Sequence, residues 1–330
     1  MKESKIYDLY WKFAAERQNI FYKRLAGESN NLTADPILSK YRFTNAYRAS
    51  DRVSQYLIQH VIYTGSQPPK EIFFRTLLFR FFNRISTWEN LSNVLKDTIS
   101  FANYDFRLYD EILSNLIDSK NKIYSAAYIM PSGIREFGFP RKHQNNLKLL
   151  EYMMRDNVPE RVAEAKNLKT VFDILKSYPT LGDFLAYQYT IDLAYSNLDC
   201  GQESDFVVPG PGALRGITKC FGDTGKLTPS EIIRYVAERQ HEEFSIRGIE
   251  FKDLFGRPLQ LIDCQNLFCE IDKYARAYDP ELTVGGRTRI KQKFSLNSQE
   301  LKMFYPPKWG INNQIPEKYY SPTRPTGIPS

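Results

Sequence analysis

Apolar residues recur every third or fourth position along most of this chain, and strict alternation of apolar and polar residues is scarce. That period is the signature of amphipathic helices. Helices are predicted at about residues 4–25, 41–63, 69–84, 87–97, 106–120, 142–155, 158–166, 168–178, 183–196, 212–220, 229–244 and 260–277. The one strand candidate is the short run "RTRIKQKF", Arg287–Phe294. Local signals agree with the helical period. In "LTPSEIIRYVAERQ", Thr228 is placed as an N-cap, Pro229 at the first helical position and Glu231 as the partner in a capping box. Pro159 in "NVPERVAEA" marks another helix start. The pattern predicts an all-α protein with a compact helical domain, of one or two lobes, over about residues 1–305. The Pro-rich stretch from about 306 to 330 is predicted to be an extended arm or loose tail.

Polar residues planted in these helices form stripes. "LIDCQNLFCEIDKYAR" puts Asp263, Asn266, Glu270 and Lys273 on one face, opposite an apolar face with Cys264, Leu267, Ile271 and Tyr274. Two carboxylates, an amide and an ammonium suit acid–base work and anion contact, unless the face is simply solvated. A helix over 41–63 would align Asn45, Arg48, Arg52, Gln55 and Gln59. "LLFRFFNRISTWE" gathers Arg80, Asn83, Arg84 and Thr87 within apolar sequence. Burying such groups without partners costs roughly 2–7 kcal/mol each, which points to a use for them.

Two turns bear on anion binding. In "SYPTLGDFLAYQYTIDLAY", a turn ending at Gly182 joins two helical patterns. It fits either a helix-hairpin-helix that grips a phosphate through free N–H groups or an ordinary turn between packed helices. Gln188 and Asp192 share a face of its second helix, beside Tyr187. "DFVVPGPGALRGITKCF" carries Gly210 and Gly212 into a helix bearing Arg215 and Lys219, a second phosphate-binding start or a kinked loop. The segment "FGDTGKLT" only imitates a nucleotide-binding loop. Cys220 stands where the first Gly is needed and Leu227 follows Lys226.

Composition narrows the partners. The 330 residues carry a net charge of +7, which favours anionic partners, and include 22 Tyr and 22 Phe, rings that fill cores and also stack on bases. Cys200, Cys220, Cys264 and Cys269 form no C-x-x-C pair. His60, His143 and His241 are scattered, so no resident metal or other cofactor is expected. No apolar leader or membrane-length run is visible, and a cytoplasmic protein is expected.

The runs "DPILSKYRFTNAYRASDRVSQYLI", "LLFRFFNRISTWE", "PTLGDFLAYQYTIDLAY", "GPGALRG", "LQLIDCQNLFCEIDKYAR" and "PPKWGIN" together resemble a helical family. It is named for alpha-glutamyl/putrescinyl thymine pyrophosphorylases and also as the helical domain of 5-hydroxymethyluracil DNA kinase. The likeness spans about residues 10–312, and its combined motifs are more specific than any one of them. It implies a helix-hairpin-helix DNA glycosylase-like fold and action on bulky 5-substituted pyrimidines in DNA, in a bacterial or phage-infected cell. The reading it favours is a DNA glycosylase that flips out and excises a modified base, such as glucosylated 5-hydroxymethylcytosine in phage DNA. The alternatives are an amino acid or polyamine transferase that displaces pyrophosphate from a 5-pyrophosphoryloxymethyl base, and a non-catalytic DNA-binding or kinase-associated module. Asp263 and Glu270 are the first candidates for the catalytic acid, with Asp192 and Asp205 behind them. Lys273 is a candidate for phosphate contact or attack on the sugar. In the transferase, Glu270 deprotonates the amine, while Arg48, Arg52 and Lys273 hold the pyrophosphate. The position of the implied glycosylase Asp falls within "VVPGPG", where no acid stands and Asp205 lies just before, or at Asp263 if the hairpin is "VPGPGALRG"; this departure from the family pattern leaves the transferase open. DNA or substrate contacts are expected from Asn45, Arg48, Arg52, Arg80, Asn83, Gly182, Tyr187, Gln188, Gly210, Gly212, Arg215, Asn266 and Arg276, with Tyr128 a further stacking candidate.

Overall fold

A computed structural model of the chain describes residues 1–96, 99–126, 129–132, 137–282, 290, 292–295 and 302–320. It is mostly helical, as the periodicity predicts. In chain order the helices are α1 (Lys5–Leu25), α2 (Pro36–Lys40), α3 (Arg52–Tyr56), α4 (Pro69–Phe82), α5 (Ile85–Leu95), α6 (Phe106–Asp118), α7 (Lys142–Arg155), α8 (Val158–Ala163), α9 (Leu168–Lys176), α10 (Asp183–Ala194), α11 (Pro211–Cys220), α12 (Pro229–Ile246) and α13 (Leu261–Tyr278). A π-helical segment, Leu57–Ile62, follows α3. Strands β1 (Lys2–Glu3) and β2 (Phe221–Asp223) form one small antiparallel pair, too short to show alternation in the sequence. Much of the predicted strand Arg287–Phe294 lies outside the described residues, as does Tyr128. Its described Lys293 makes an isolated bridge to Tyr41. Among the described residues, no helix is long and apolar enough to cross a membrane.

The chain divides into two compact units. The first takes its described residues from Met1–Asp51, Val207–Met303 and Gly310–Ser321. The second takes them from Arg52–Phe206 and Phe304–Trp309.

In the first unit α13 is the central element, with α1, α2, α11 and α12 packed on it. Its apolar side buries Leu267, Phe268, Ile271 and Ala275, and Tyr10 of α1 meets Phe268 with ring centroids 4.7 Å apart. The approach of α11 to α13 depends on two glycines. A Cβ on Gly216 would fall 1.9 Å from the Phe268 carbonyl oxygen, and one on Gly212 would fall 2.3 Å from Cys269 Sγ. Across the same contact Asp272, 2% exposed, receives Arg215 Nε at 3.1 Å and Lys219 Nζ at 2.9 Å. Helix α12 starts with the predicted capping box: Glu231 accepts the Thr228 N–H at 2.7 Å, and Thr228 Oγ1 accepts the Glu231 N–H at 3.3 Å.

In the second unit α4 is buried on all sides from Ile72 to Phe82, and α10 likewise from Leu185 to Ala194. A helix apolar around its whole circumference belongs in a core. Helix α4 packs against α7, α8 and α10, and α9 and α10 form the hairpin around Gly182. Within the described part of the predicted tail region, residues 304–320, several side chains are buried. Phe304 meets Tyr63 edge-on at 5.5 Å, Trp309 meets Tyr195 at 5.7 Å, and Tyr305 is fully buried. In the first unit, Ile311 and Ile315 are buried as well.

One predicted helix is corrected. Residues 42–47 are not helical, and a 3-10 turn at Arg48–Ser50 precedes α3. The cause is local. Asp51 Oδ1 accepts the Asn45 N–H at 2.8 Å, and Asn45 Nδ2 donates to the Ser50 carbonyl at 2.7 Å. These bonds close a loop that competes with the helical ladder. Asn45, Arg48, Arg52, Gln55 and Gln59 therefore share no single helical face. Helix α4 also ends sooner than predicted, at Asn83, whose φ of 50° is left-handed. Arg80, Asn83, Arg84 and Thr87 are thus split across a helix end.

Candidate active site

The polar stripe of α13 is inside the first unit, not on a solvated face. Asp263 is 4% exposed and Glu270 is 8% exposed, while Asn266 and Lys273 are half-buried. The segment Phe43–Asp51, a loop ending in the 3-10 turn, covers this stripe and is tied to it through its own backbone. The Thr44 N–H donates to Glu270 Oε2 at 3.1 Å, and the Arg48 N–H donates to Asp263 Oδ1 at 2.8 Å. Helix α1 reaches the same segment through Arg17. Its Nε donates to the Thr44 carbonyl at 2.8 Å, and its Nη2 donates to Asn45 Oδ1 at 2.7 Å. Lys273 Nζ closes the group, 2.7 Å from Glu270 Oε2 and 4.4 Å from the Phe43 ring centroid.

Asp51 stands at the end of this loop. Burial pushes its carboxyl up to about 6 against the pull of the Asn45 N–H and the Arg17 guanidinium, and the Glu270 charge raises it further. Burial also lowers the proton affinity of Arg17. Such a carboxyl changes charge near neutrality, where a general base is most useful. Sequence reading missed both residues. The spacing was misleading, because Asp51 and Asn45 are brought together by a loop rather than by a helical repeat. Beside this cluster, Lys40, Tyr41, Arg276 and Pro280 are among the residues lining a cavity of about 560 Å³. Arg276 follows Lys273 by three residues on α13, so the two are neighbours on the helix surface.

The other residues singled out in the sequence have different surroundings. Asp263 acts as a helix cap: its Oδ2 accepts the Gln260 N–H at 3.0 Å while its Oδ1 holds Arg48. In the second unit, Asp192 is 1% exposed, with Oδ2 2.6 Å from Arg80 Nε. Arg80 Nη1 donates to Asn83 Oδ1 at 2.6 Å, and Gln188 is buried nearby in sequence on α10. Asp205 is exposed and accepts the Gln202 N–H at 2.9 Å. Tyr187 is fully buried, edge-on to Phe206 at 6.0 Å. Arg52 is exposed at the start of α3. Gly182 is exposed at the start of α10, where an added Cβ would meet nothing within 4 Å. The left-handed residue of that turn is Thr180, at φ 68°. Gly210 is a buried N-cap with an ordinary φ of −74°. Gly212 and Arg215 are engaged with α13, as described above. Among the described residues, no three His, Cys, Asp or Glu side chains are grouped to hold a metal ion.

With this geometry the chain can be set beside known proteins. The family model described as "5-hmdU DNA kinase, helical domain" matches residues 4–284. The chain belongs to this family. It is also similar to a 5-hmdU DNA kinase of Bacillus phage SP10, 25% identical over 321 residues. That match covers 91% of this chain and 50% of the phage protein, so the chain spans about half the length of the relative. No solved structure matches. The matched helical domain contains both segments of the site, Phe43–Asp51 and Asp263–Arg276.

Proposed function

We propose that this chain is a DNA-acting enzyme on 5-substituted pyrimidines, with its chemistry centred on Asp51, Glu270 and Lys273. The observation that carries the reading is the Asp51 carboxyl, raised to about 6 in a cluster with buried Arg17 and the Glu270–Lys273 pair. The relative is named for a kinase of a hydroxymethylated base in DNA, and the net charge of +7 suits a DNA partner.

The reaction that best suits the groups is amine transfer to a base carrying pyrophosphate on its 5-methylene. Asp51 takes the proton from the attacking amine. The new C–N bond forms as the C–O bond to pyrophosphate breaks. Lys273 and Arg276, on the wall of the cluster and its neighbouring cavity, hold the departing anion by charge-assisted hydrogen bonds. Glu270 positions Lys273 and raises Asp51. A second reading uses the same carboxyl differently. Asp51 activates water against the sugar carbon, the N-glycosidic bond breaks, and the modified base leaves. The raised carboxyl favours this too, since water needs a base that is ionised near neutral pH.

Nucleoside analysis by mass spectrometry separates the readings. The protein is incubated with duplex DNA carrying 5-hydroxymethyl-dU, its pyrophosphorylated form or glucosylated 5-hydroxymethyl-dC, with and without glutamate, putrescine and ATP. An amine-dependent new nucleoside, lost in Asp51→Asn, supports the transferase. Abasic sites support the glycosylase. ATP-dependent phosphorylation of the hydroxymethyl group would assign kinase chemistry to this half. DNA binding without any product would leave a non-catalytic module.

A further inference from the structure

The second unit contains a polar recess that the chemistry above does not use. It has a volume of about 540 Å³, and Arg75, Lys96, His60, Thr64, Ser92 and Trp88 are among its lining residues. No Asp or Glu is among the described residues that line it. Its wall is unusual in construction. His60 belongs to the π-helical segment Leu57–Ile62, and such segments are rare and concentrate at functional sites.

Arg75 holds this wall in place. It is 1% exposed, and its Nε donates to the Val61 carbonyl at 2.9 Å while Nη2 donates to Ser66 at 2.7 Å. Its third nitrogen, Nη1, makes no hydrogen bond. Glu71 Oε2 is its ion-pair partner at 3.6 Å, beyond hydrogen-bond reach, and the two Glu71 oxygens also accept the Phe101 and Ala102 N–H groups at 2.9 and 3.2 Å. Nη1 thus keeps an unused hydrogen bond, and a planar guanidinium is well suited to phosphate oxygens. Lys96 adds an exposed ammonium from the end of α5, and Ser92 and Thr64 add hydroxyls. Partial burial lowers the proton affinity of the exposed His60 ring against the opposing charge of Glu89.

We propose that this recess binds a phosphate group, with Arg75 and Lys96 as its cationic partners and Trp88 beside the organic portion of the ligand. Its volume accommodates a mononucleotide, and the phosphate arrives either on a free nucleotide or on the 5′ end of a DNA strand.

Isothermal titration calorimetry on the full chain at low salt tests this with inorganic phosphate, dTMP and a 5′-phosphorylated oligonucleotide against its unphosphorylated form. The parent protein is expected to bind phosphate and at least one phosphorylated probe. Lys96→Gln and Ser92→Ala are expected to keep the parent melting temperature, and Lys96→Gln to weaken binding about tenfold. Binding of dTMP alone identifies a free nucleotide as the source, and preference for the phosphorylated oligonucleotide identifies DNA. Lys273→Gln with Arg276→Gln, which removes the anion-holding groups of the proposed catalytic cluster, is expected to leave this phosphate binding intact, and loss of binding in that pair would assign the phosphate to the cluster and overturn the proposal. No phosphate binding by the parent, or binding that Lys96→Gln leaves unchanged, overturns the proposal.

Discussion

Asp51 accepts the backbone N–H of Asn45 at 2.8 Å, and the loop this bond closes delivers Thr44 to Glu270 and Arg48 to Asp263. One short contact thus both shapes the covering segment and fixes the carboxyl proposed as the base.

Replacing Asp51 with Asn preserves an acceptor for the Asn45 N–H but removes the base. Activity on the modified-base substrate is expected to fall by roughly 10²–10⁴-fold, with the circular dichroism spectrum unchanged. In the parent the rate should rise with pH through about 6, because the ionised form is the active one. Steady-state rates between pH 5 and 8 check both points.

The same shift makes a stability prediction of opposite sense. The folded state holds the Asp51 proton more tightly than the unfolded chain does. Its contribution to stability is therefore complete below the ordinary carboxylate value of 3.8 and is lost as pH rises through about 6. Asp51→Asn cannot ionise. It is expected to melt no lower than the parent at pH 7.5, and its advantage should shrink towards pH 4. Thermal melts at the two pH values decide it.

Glu270→Gln removes a charge that raises Asp51. The midpoint of the pH–rate profile is expected to move below its parent value, whatever happens to the maximal rate. A residue needed only for packing would leave the midpoint where it was.

The glycines divide into two kinds. Gly216→Ala forces a Cβ onto the Phe268 carbonyl and is expected to cost about 3 kcal/mol or more in urea denaturation. Gly212→Ala meets the movable Cys269 side chain and should cost less. Gly182→Ala has room and an ordinary φ of −71°, so stability should hold or rise by about 0.4–1 kcal/mol. If the α9–α10 turn grips DNA, Gly182→Ala will still weaken DNA binding in a filter or anisotropy assay.

Arg80 and Asp192 form a buried ion pair. Removing one partner strands the other charge, and Arg80→Ala is expected to destabilise the fold by about 3–5 kcal/mol. Replacing both, Arg80→Met with Asp192→Leu, should recover much of that loss in the same denaturation experiment.

Much of the helical framework was legible in the sequence because it depends on local rules. Thr228, Pro229 and Glu231 mark the start of α12, and the apolar positions of α13 keep a helical period. The stripe Asp263–Glu270–Lys273 was legible for the same reason. Asp51 and Arg17 were not. Their roles depend on contacts across long sequence separations and on a loop that overrides helical spacing. Gly212 shows a different limit. A glycine at a helix start looks the same in sequence whether or not a neighbouring helix approaches it, and its closeness to Cys269 is visible only in the fold. Tyr187 likewise carries no mark in the sequence that it is buried against Phe206.

The discontinuity of the first unit bears on how the protein is made. Arg17 and Asp51 are synthesised early, but Glu270 and Lys273 follow more than two hundred residues later. On a ribosome, the intervening stretch Arg52–Phe206 emerges before α13 exists and can begin to fold first, although Phe304 and Trp309, which pack on Tyr63 and Tyr195, come later. The N-terminal segment must wait with Tyr7, Tyr10, Trp11 and Phe13 uncovered, since their partners Phe221, Phe244, Phe268 and Tyr274 are still unmade. The nascent chain is thus exposed to chaperones and to misassembly in that interval, and the cluster around Asp51 and Glu270 can form only after α13 has been made.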